Sequence, residues 1–444
     1  MSKLIKKIYI ETYGCQMNFS DSEIVGSILQ KAGHEIVLSE KEADIIFVNT
    51  CSIRDNAEQR VFKRLREFRS LRRKNNTIKL GVLGCMAERL KEVLTEQNIA
   101  VDLVAGPDSY RSLPDMLYQV EAGIKTVNVL LSEEETYEEI DPVRLGSNGV
   151  SAFISIMRGC ENFCAYCVVP YTRGKERSRN PETIVNEAKN LFEKGYREIT
   201  LLGQNVNSYA WNEPQNSINF SRLIELVAQI SPLLRVRFAT SHPKDLSNNL
   251  LEVICKYPNI CRSIHLPVQS GSNTVLERMK RKYTREWYKD RITAIKTYIP
   301  DCSISTDIIA GFCGETEEEH QDTLDLMKWA GYEYAFMFKY SEREGTFASK
   351  KYLDDILDDI KSKRLEEIIQ LQQTLSKQSN QKDIGKIFEV LIEGISKRSK
   401  DQQFGRTSQN KVVVFNSSNL PIGSYVNVKI TSCTPATLKG EIIH

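Results

Sequence analysis

The sequence predicts an α/β protein in three parts: an N-terminal α/β domain with a parallel sheet (1–132), a central partial α/β barrel (146–380) and a small antiparallel β-barrel (381–444). Three observations predict this. Apolar strand-like runs alternate with helical stretches as far as Phe338, the mark of parallel sheets covered by helices. From Lys386 onward the texture changes to short β runs separated by turn residues. Between the first two parts, the acidic stretch Glu133 to Pro142 and Gly146-Ser147-Asn148-Gly149 read as a linker. A chain of 444 residues is also too long for one compact core.

Taken in order, Lys7 to Thr12 is a strand, Ser22 to Ala32 a helix and Ala43 to Val48 a buried strand. Ala57 to Arg73 is a long basic helix, Ile78 to Leu83 an apolar strand, and Ala87 to Leu94 opens another helix. The central part repeats the alternation with strands at Ala152 to Met157, Glu198 to Leu202, Arg235 to Ala239, Ser263 to Leu266, Ser303 to Ile309 and Tyr334 to Phe338. Helices such as Pro181 to Lys194 and Ser221 to Ile230 fall between them, which is the order of a whole or partial α/β barrel of the TIM-like kind. Asp354 to Gln381 is a charged helix. Ile387 to Ile392, Lys411 to Phe415, Ser424 to Ile430 and Leu438 to Ile443 then read as strands of a small oligonucleotide-binding-like barrel.

Composition narrows the function classes. No apolar run approaches the ~18–20 residues that span a bilayer, and the start carries no signal or transit pattern, so the expected location is the cytoplasm without membrane contact. Net charge is only +2, so any nucleic-acid binding must use local patches. Candidates are Arg60 to Lys74, the cluster Arg278, Lys280, Arg281, Lys282 and Arg285, and the cluster Arg173, Lys175, Arg177 and Arg179; a solvated face is the plain alternative for each. Eleven cysteines, an odd number in a chain read as cytosolic, favour metal binding or catalysis over disulfides.

The chemistry concentrates in Arg158-Gly159-Cys160-Glu161-Asn162-Phe163-Cys164-Ala165-Tyr166-Cys167. This C-x3-C-x2-C run follows a strand. Three thiolates can hold three irons of a four-iron cluster and leave the fourth open. An open iron is what a reactive centre needs, and the amino and carboxylate groups of S-adenosylmethionine can fill it. The alternative is structural zinc, but no Cys or His follows closely to complete four ligands. Three further cysteines, Cys15, Cys51 and Cys85, each follow a predicted strand. In a parallel sheet those ends share one edge, so they either converge on a second metal site or are plain buried cysteines.

These residues resemble the radical S-adenosylmethionine methylthiotransferases that modify tRNA. The matching segments are Thr12-Tyr13-Gly14-Cys15-Gln16-Met17-Asn18, Asn49-Thr50-Cys51-Ser52-Ile53-Arg54, Gly84-Cys85-Met86-Ala87 and Cys167-Val168-Val169-Pro170-Tyr171-Thr172-Arg173-Gly174. Glu176-Arg177-Ser178-Arg179 and Thr306-Asp307-Ile308-Ile309-Ala310-Gly311-Phe312 match as well, and the C-terminal part resembles a TRAM domain, so the likeness spans the chain. It implies methylthiolation of carbon 2 of isopentenyladenosine beside the anticodon. It implies two [4Fe-4S] clusters, held by Cys160, Cys164 and Cys167 and by Cys15, Cys51 and Cys85, with S-adenosyl-L-methionine as cosubstrate. The implied partners are the tRNA anticodon stem-loop, an electron donor such as flavodoxin or ferredoxin, and a sulfur donor of unknown identity, for a monomeric enzyme. Arg158 stands where the family often has an acid, and Cys313 where it often has proline.

Near the cluster, S-adenosylmethionine contacts are expected from strand-end groups: Gln204, Asn205, Ser241, Gln269 and Asp307, with Tyr166 beside the adenine. The alternative for each is a barrel-mouth hydrogen bond. His242 reads as a turn residue and His265 as a satisfied interior one. Arg173, Lys175, Arg177 and Arg179 are expected to meet RNA phosphates, and Tyr340 and Arg343 to form another wall of the RNA site. The C-terminal barrel, with Arg406, Lys411 and Lys439, is expected to grip the tRNA body. Three rival readings remain: a methylthiotransferase acting on threonylcarbamoyladenosine, one acting on a ribosomal protein aspartate, and an RNA-binding protein whose clusters only stabilise the fold.

Overall fold

The computed structural model describes residues 5–51, 55–96, 101–213, 216–417 and 419–443. The chain forms two compact units. The first is Met1–Gly146 with Met157–Phe163 and Cys167–Thr183; the second is Ser147–Ile156, Cys164–Tyr166 and Ile184–His444. The grouping differs from a three-way division at 132, 146 and 381: the second unit holds both the central strands and the C-terminal barrel, and two pieces of the cysteine-run segment pack with the first.

In the first unit the described residues form a six-stranded parallel sheet. Its order is Glu35–Val37, Lys7–Thr12, Ile45–Thr50, Lys79–Gly84, Leu103–Ala105, Thr126–Asn128. Helices cover both faces, which is why Ile45–Thr50 is buried throughout. Alternate side chains divide the core. Ile45 and Phe47 pack with Ile24, Val25, Ile28 and Leu29 of the helix Gln16–Lys31. Ile46 and Val48 pack with Val61, Leu65 and Phe68 of the basic helix Asp55–Lys74. That helix is therefore amphipathic, and part of its charge is satisfied internally: Arg72 forks onto Asp102 at 3.0 and 3.1 Å, and Arg64 reaches Glu11 at 2.9 Å.

The first helix begins at Gln16, six residues before its predicted start. Asn18, Ser20, Asp21, Ser22 and Glu23 have the polarity of a loop, yet all are buried in the helix. Their partners lie far away in sequence, so local pattern alone misplaces the boundary.

The second unit contains two parallel three-stranded sheets. One orders Arg235–Ala239, Glu198–Leu202, Ser151–Ser155; the other orders Ser263–His265, Ser303–Ala310, Tyr334–Lys339. The Val236–Ile260 bridge joins the end of one sheet to the approach to the other. Helices Phe220–Ala228, Asn248–Lys256, Arg285–Tyr298 and Glu317–Ala330 alternate with the strands, as a partial α/β barrel requires. The last of these starts at a full capping box, Thr316 with Glu319.

The helix Asp358–Gln381 leads to a closed five-stranded barrel. Its pairs are antiparallel except for Val412–Asn416 beside Leu438–Ile442, which run parallel. The second of its strands in chain order, Gln402–Arg406, is polar and is not among the four strands expected from sequence. Arginines on the central barrel fasten this small one: Arg235 donates to the carbonyls of Arg406 and Glu389 at 2.6 and 2.9 Å, and Arg237 to those of Ser408 and Thr407 at 3.1 and 2.7 Å. Tyr425 returns a hydroxyl to the Leu233 carbonyl at 2.9 Å. Among the described residues, no helix is long and apolar enough to cross a membrane.

Candidate functional site: two sets of cysteines and the arginines beside them

In the first unit, Thr12 is in register with Asn49, and Thr50 with Gly84, so these strands end on one edge and the cysteines after them follow suit. Cys15 caps the helix Gln16–Lys31, Cys51 follows the strand Ile45–Thr50, and Cys85 opens the helix Cys85–Arg89. Gly14 has φ +118°, and a Cβ there would lie 2.3 Å from the Cys51 Cβ, so only glycine lets the two loops approach. Cys15 donates its thiol to Asn18 Oδ1 at 3.2 Å. A hydrogen bond with Cys51 outweighs burial and, with the charge of Arg173, lowers the Cys15 thiol to about 6. Cys85 is pushed up by burial against the opposing pull of Arg173, whose Nε donates to its Sγ at 3.1 Å.

Behind the cysteines lies a buried charge cluster that sequence reasoning missed. Asp21 accepts from Arg158 at 2.9 Å, from Arg173 at 2.8 Å and from the Tyr110 hydroxyl at 3.4 Å. Burial would raise its carboxyl, but the two arginines override that and hold it below the ordinary range. Arg158 also donates to the Pro107 carbonyl and lies over the Tyr137 ring. Arg177 forks onto Asp108 at 2.9 and 3.0 Å. Three arginines face two aspartates, so the cluster holds one positive charge in excess, next to thiols that can become anionic. Arg158, the departure from the resembled family, is thus a buried partner of Asp21.

Cys160 and Cys167 belong to this unit. Gly159 has φ +81°, and a Cβ there would lie 1.8 Å from the Lys175 carbonyl oxygen. Its bareness lets Cys160 N bond the Gly174 carbonyl at 3.1 Å. Asn162 donates to Cys160 Sγ at 3.4 Å. Phe163 and Tyr171 are exposed and meet edge to face at 6.1 Å.

Burial corrects the phosphate-contact expectation for three residues. Arg173, Arg177 and Arg179 are inside, the last bound to Thr183 and the Glu138 carbonyl. Buried aspartates and carbonyls from distant segments capture guanidinium groups that a local basic run suggests are solvated. Lys175 alone of that cluster is exposed, paired with Glu133 at 2.7 Å.

In the second unit Cys164 is buried, and Arg281 donates to its Sγ at 3.2 Å. Tyr166 accepts from the same guanidinium at 3.4 Å and meets Phe312 edge to face. Among the strand-end residues, Gln204 Oε1, both amide atoms of Asn207, Ser241 Oγ and His242 Nε2 are buried without a hydrogen-bond partner. Such orphans ask for a polar ligand. Asn205 is engaged instead: its Nδ2 donates to Asp245 at 2.7 Å and its Oδ1 accepts from His242 N at 3.0 Å. His242 takes the turn role, its Nδ1 accepting from Lys244 N, and burial together with Arg281 holds its ring neutral. Thr240 and Gln269 have φ +72° and +71° just past two strand ends, a strain that clusters at working sites. Gln269 bonds through its backbone to Asp307 O and Ile309 N. Asp307 lies 3.4 Å from His265 Nε2, whose Nδ1 meets Ser305 Oγ at 3.0 Å.

Tyr340 and Arg343 are buried, Tyr340 in a core with Phe312 and Cys313, so they form no exposed wall. In the C-terminal barrel Arg406 pairs with Glu393 and Lys411 with Asp383, while Lys439 is exposed.

Among the described residues no three Cys, His, Asp or Glu side chains are drawn to metal-ligand spacing. The donor chemistry nonetheless fits iron–sulfur groups: soft thiols in two sets, one thiol lowered toward thiolate, each set touched by a buried arginine.

Comparison with known proteins agrees with this architecture. Residues 7–106 match the model described as "Uncharacterized protein family UPF0004", 154–327 the radical SAM superfamily and 381–443 the TRAM domain. The radical methyltransferase TsrM from Kitasatospora setae, solved with cobalamin and a [4Fe-4S] cluster, superposes with a TM-score of 0.55 at 12% identity, covering 76% of this chain and 72% of that one. At that identity the likeness concerns fold alone. A tRNA-2-methylthio-N(6)-dimethylallyladenosine synthase of Bacteroides thetaiotaomicron is 57% identical, covering 98% of this chain and 96% of the relative. One from Porphyromonas gingivalis is 52% identical, covering 100% and 96%. The class is therefore a radical SAM protein with an N-terminal UPF0004 part and a C-terminal TRAM domain. Within that class, the chain belongs to the family of tRNA-2-methylthio-N(6)-dimethylallyladenosine synthases.

Proposed function

We propose that this chain methylthiolates carbon 2 of N6-dimethylallyladenosine beside the tRNA anticodon, using radical S-adenosylmethionine chemistry in the cytoplasm. The observation that carries the reading is the two cysteine trios, one local and one drawn from neighbouring strand ends, in a chain matching such synthases end to end. Cys160, Cys164 and Cys167 would hold one [4Fe-4S] cluster, and Cys15, Cys51 and Cys85 a second. Bound there, the first supplies reductive carbon–sulfur cleavage of S-adenosylmethionine and the second the sulfur for insertion.

The chain's own residues then divide the work. Arg173 holds the Cys85 sulfur and Asn162 the Cys160 sulfur. The orphaned polar atoms of Gln204 and Ser241 receive the polar groups of S-adenosylmethionine, with Asn207 and His242 beside them. Tyr166, Gln269 and Asp307 complete that pocket, and Asn205 shapes it. Phe163 and Tyr171, exposed beside the cysteine run, offer stacking faces for an unstacked loop base. Lys175 and Lys439 offer charge to phosphates, and the TRAM barrel grips the tRNA. A flavodoxin- or ferredoxin-like donor supplies electrons, a sulfur donor replenishes the second trio, and the enzyme acts as a monomer.

The test is complementation of a strain lacking its own synthase, followed by nucleoside digestion and mass spectrometry. Restored 2-methylthio-N6-dimethylallyladenosine is the expected result. Methylthiolated threonylcarbamoyladenosine, or a methylthiolated ribosomal aspartate, with none of that nucleoside would redirect the assignment. Cys164→Ala should abolish 5′-deoxyadenosine formation. Cys51→Ala should spare it and stop methylthiolation.

A further inference from the structure

Arg281 carries a buried charge that the preceding reading leaves unused. Its residue is 4% exposed. Nε donates to the Tyr283 hydroxyl at 2.9 Å and Nη2 to the Pro267 carbonyl at 2.9 Å, while Nη1 serves Cys164 Sγ at 3.2 Å and Tyr166 at 3.4 Å. None of these partners is a carboxylate. Arg237 and Arg364, also buried in the second unit, differ: Arg237 has Glu198 at 2.8 Å, and Arg364 has Glu315 at 3.1 Å. Tyr283 stays neutral, since burial pushes its hydroxyl up to about 12. A buried cation among neutral dipoles is costly unless an anion joins it.

The backbone is arranged to put it there. Lys280 and Lys282, on either side, have φ +57° and +59°, a conformation L residues avoid. Both lysines are exposed while Arg281 turns inward. The strain is thus spent on delivering one guanidinium to the sulfur of Cys164.

Building on the radical-cluster reading of Cys160, Cys164 and Cys167, we propose that Arg281 is a positioning residue that holds the Cys164 sulfur and sets an uncompensated positive charge against the cluster, favouring its one-electron-reduced form. In that step a low-potential one-electron donor of the flavodoxin or ferredoxin class loses one electron. The oxidised cluster gains it and becomes more negative by one charge. Arg281 remains protonated before and after, so no proton moves there.

The experiment uses full-length protein with Cys15, Cys51 and Cys85 changed to Ala, loaded anaerobically, so that iron reports on the radical run. The midpoint potential is read by electron paramagnetic resonance during titration with dithionite. Arg281→Met should shift the midpoint to more negative potential at unchanged iron content, and Arg281→Lys should restore most of the shift. An unchanged midpoint in the loaded Arg281→Met protein overturns the proposal, as does an Arg281→Lys shift as large as that of Arg281→Met. If Arg281→Met fails to hold iron, retention by Arg281→Lys supports the charge-bearing role, and loss in both variants rejects it in favour of packing. Failure of the Arg281-containing background to load a cluster strikes the radical-cluster reading instead, which keeps the two outcomes apart.

Discussion

Two cysteines, Cys85 in the first unit and Cys164 in the second, each accept an N–H from a fully buried arginine, but the two arginines are balanced differently. Arg173 shares Asp21 with Arg158, so part of its charge is answered by a buried carboxylate. Among the described residues, Arg281 meets hydroxyls, a carbonyl and sulfur and no carboxylate. A guanidinium beside a cysteine sulfur can therefore play two parts. Paired with a carboxylate it fixes a sulfur in place; left unpaired it also lends the site its field.

The largest expected effect breaks the balanced side. Asp21→Asn strands Arg173 and leaves Arg158 with Asp108 at 3.7 Å, and should cost about 3–5 kcal/mol, read as a lower urea midpoint of the metal-free protein. Arg281→Met removes a cation that leaves no buried partner charge behind, so its stability cost should be smaller, about 1–2 kcal/mol for lost hydrogen bonds. A result in which Arg281→Met is the more damaging of the two would reverse the comparison. A finer probe is the alkylation of Cys15 in metal-free protein. With its thiol lowered to about 6, reaction should be slow below that pH and reach a plateau above it. Arg173→Met removes one of the groups that lowers the thiol and should move the rise to higher pH; a fixed profile would separate Arg173 from the cysteine edge. The smallest effect belongs to Lys175→Ala, whose partner Glu133 is as exposed as the lysine: no measurable change in unfolding midpoint is expected, because only desolvated charges enter the contrast.

Much of this was legible in sequence where the cause is local. Thiol spacing in Cys160, Cys164 and Cys167 needs no tertiary knowledge, and the position of Cys15, Cys51 and Cys85 follows from strands that end together. Strand runs such as Lys7–Thr12 and Glu198–Leu202 match their predicted limits, although only the second is buried throughout and the first buries Ile8 alone. Charge networks were illegible for the opposite reason. Asp21 and Arg158 are separated by 137 residues, and Cys164 and Arg281 by 117. Nothing in the run Arg173 to Arg179 distinguishes a solvated patch from groups captured by Asp21, Asp108 and Thr183. Tyr340 looks like part of an RNA wall until Phe312 and its neighbours pack against it, and Arg343 is buried as well. The orphaned amide of Asn207 likewise carried no sequence signal beyond its place near a strand end.

The arginine clasp between the central and C-terminal barrels bears on how this protein can be dissected. Arg235 draws its contacts from Arg406, Glu389 and the Tyr425 ring, all beyond residue 381, whereas Arg237 would keep Glu198. Cutting the chain at the TRAM boundary would bare a guanidinium that the intact protein hides. The truncated form would gain a patch attractive to any polyanion, so its residual hold on RNA would overstate what the remaining domains contribute, and point substitutions at Lys439 are the cleaner instrument.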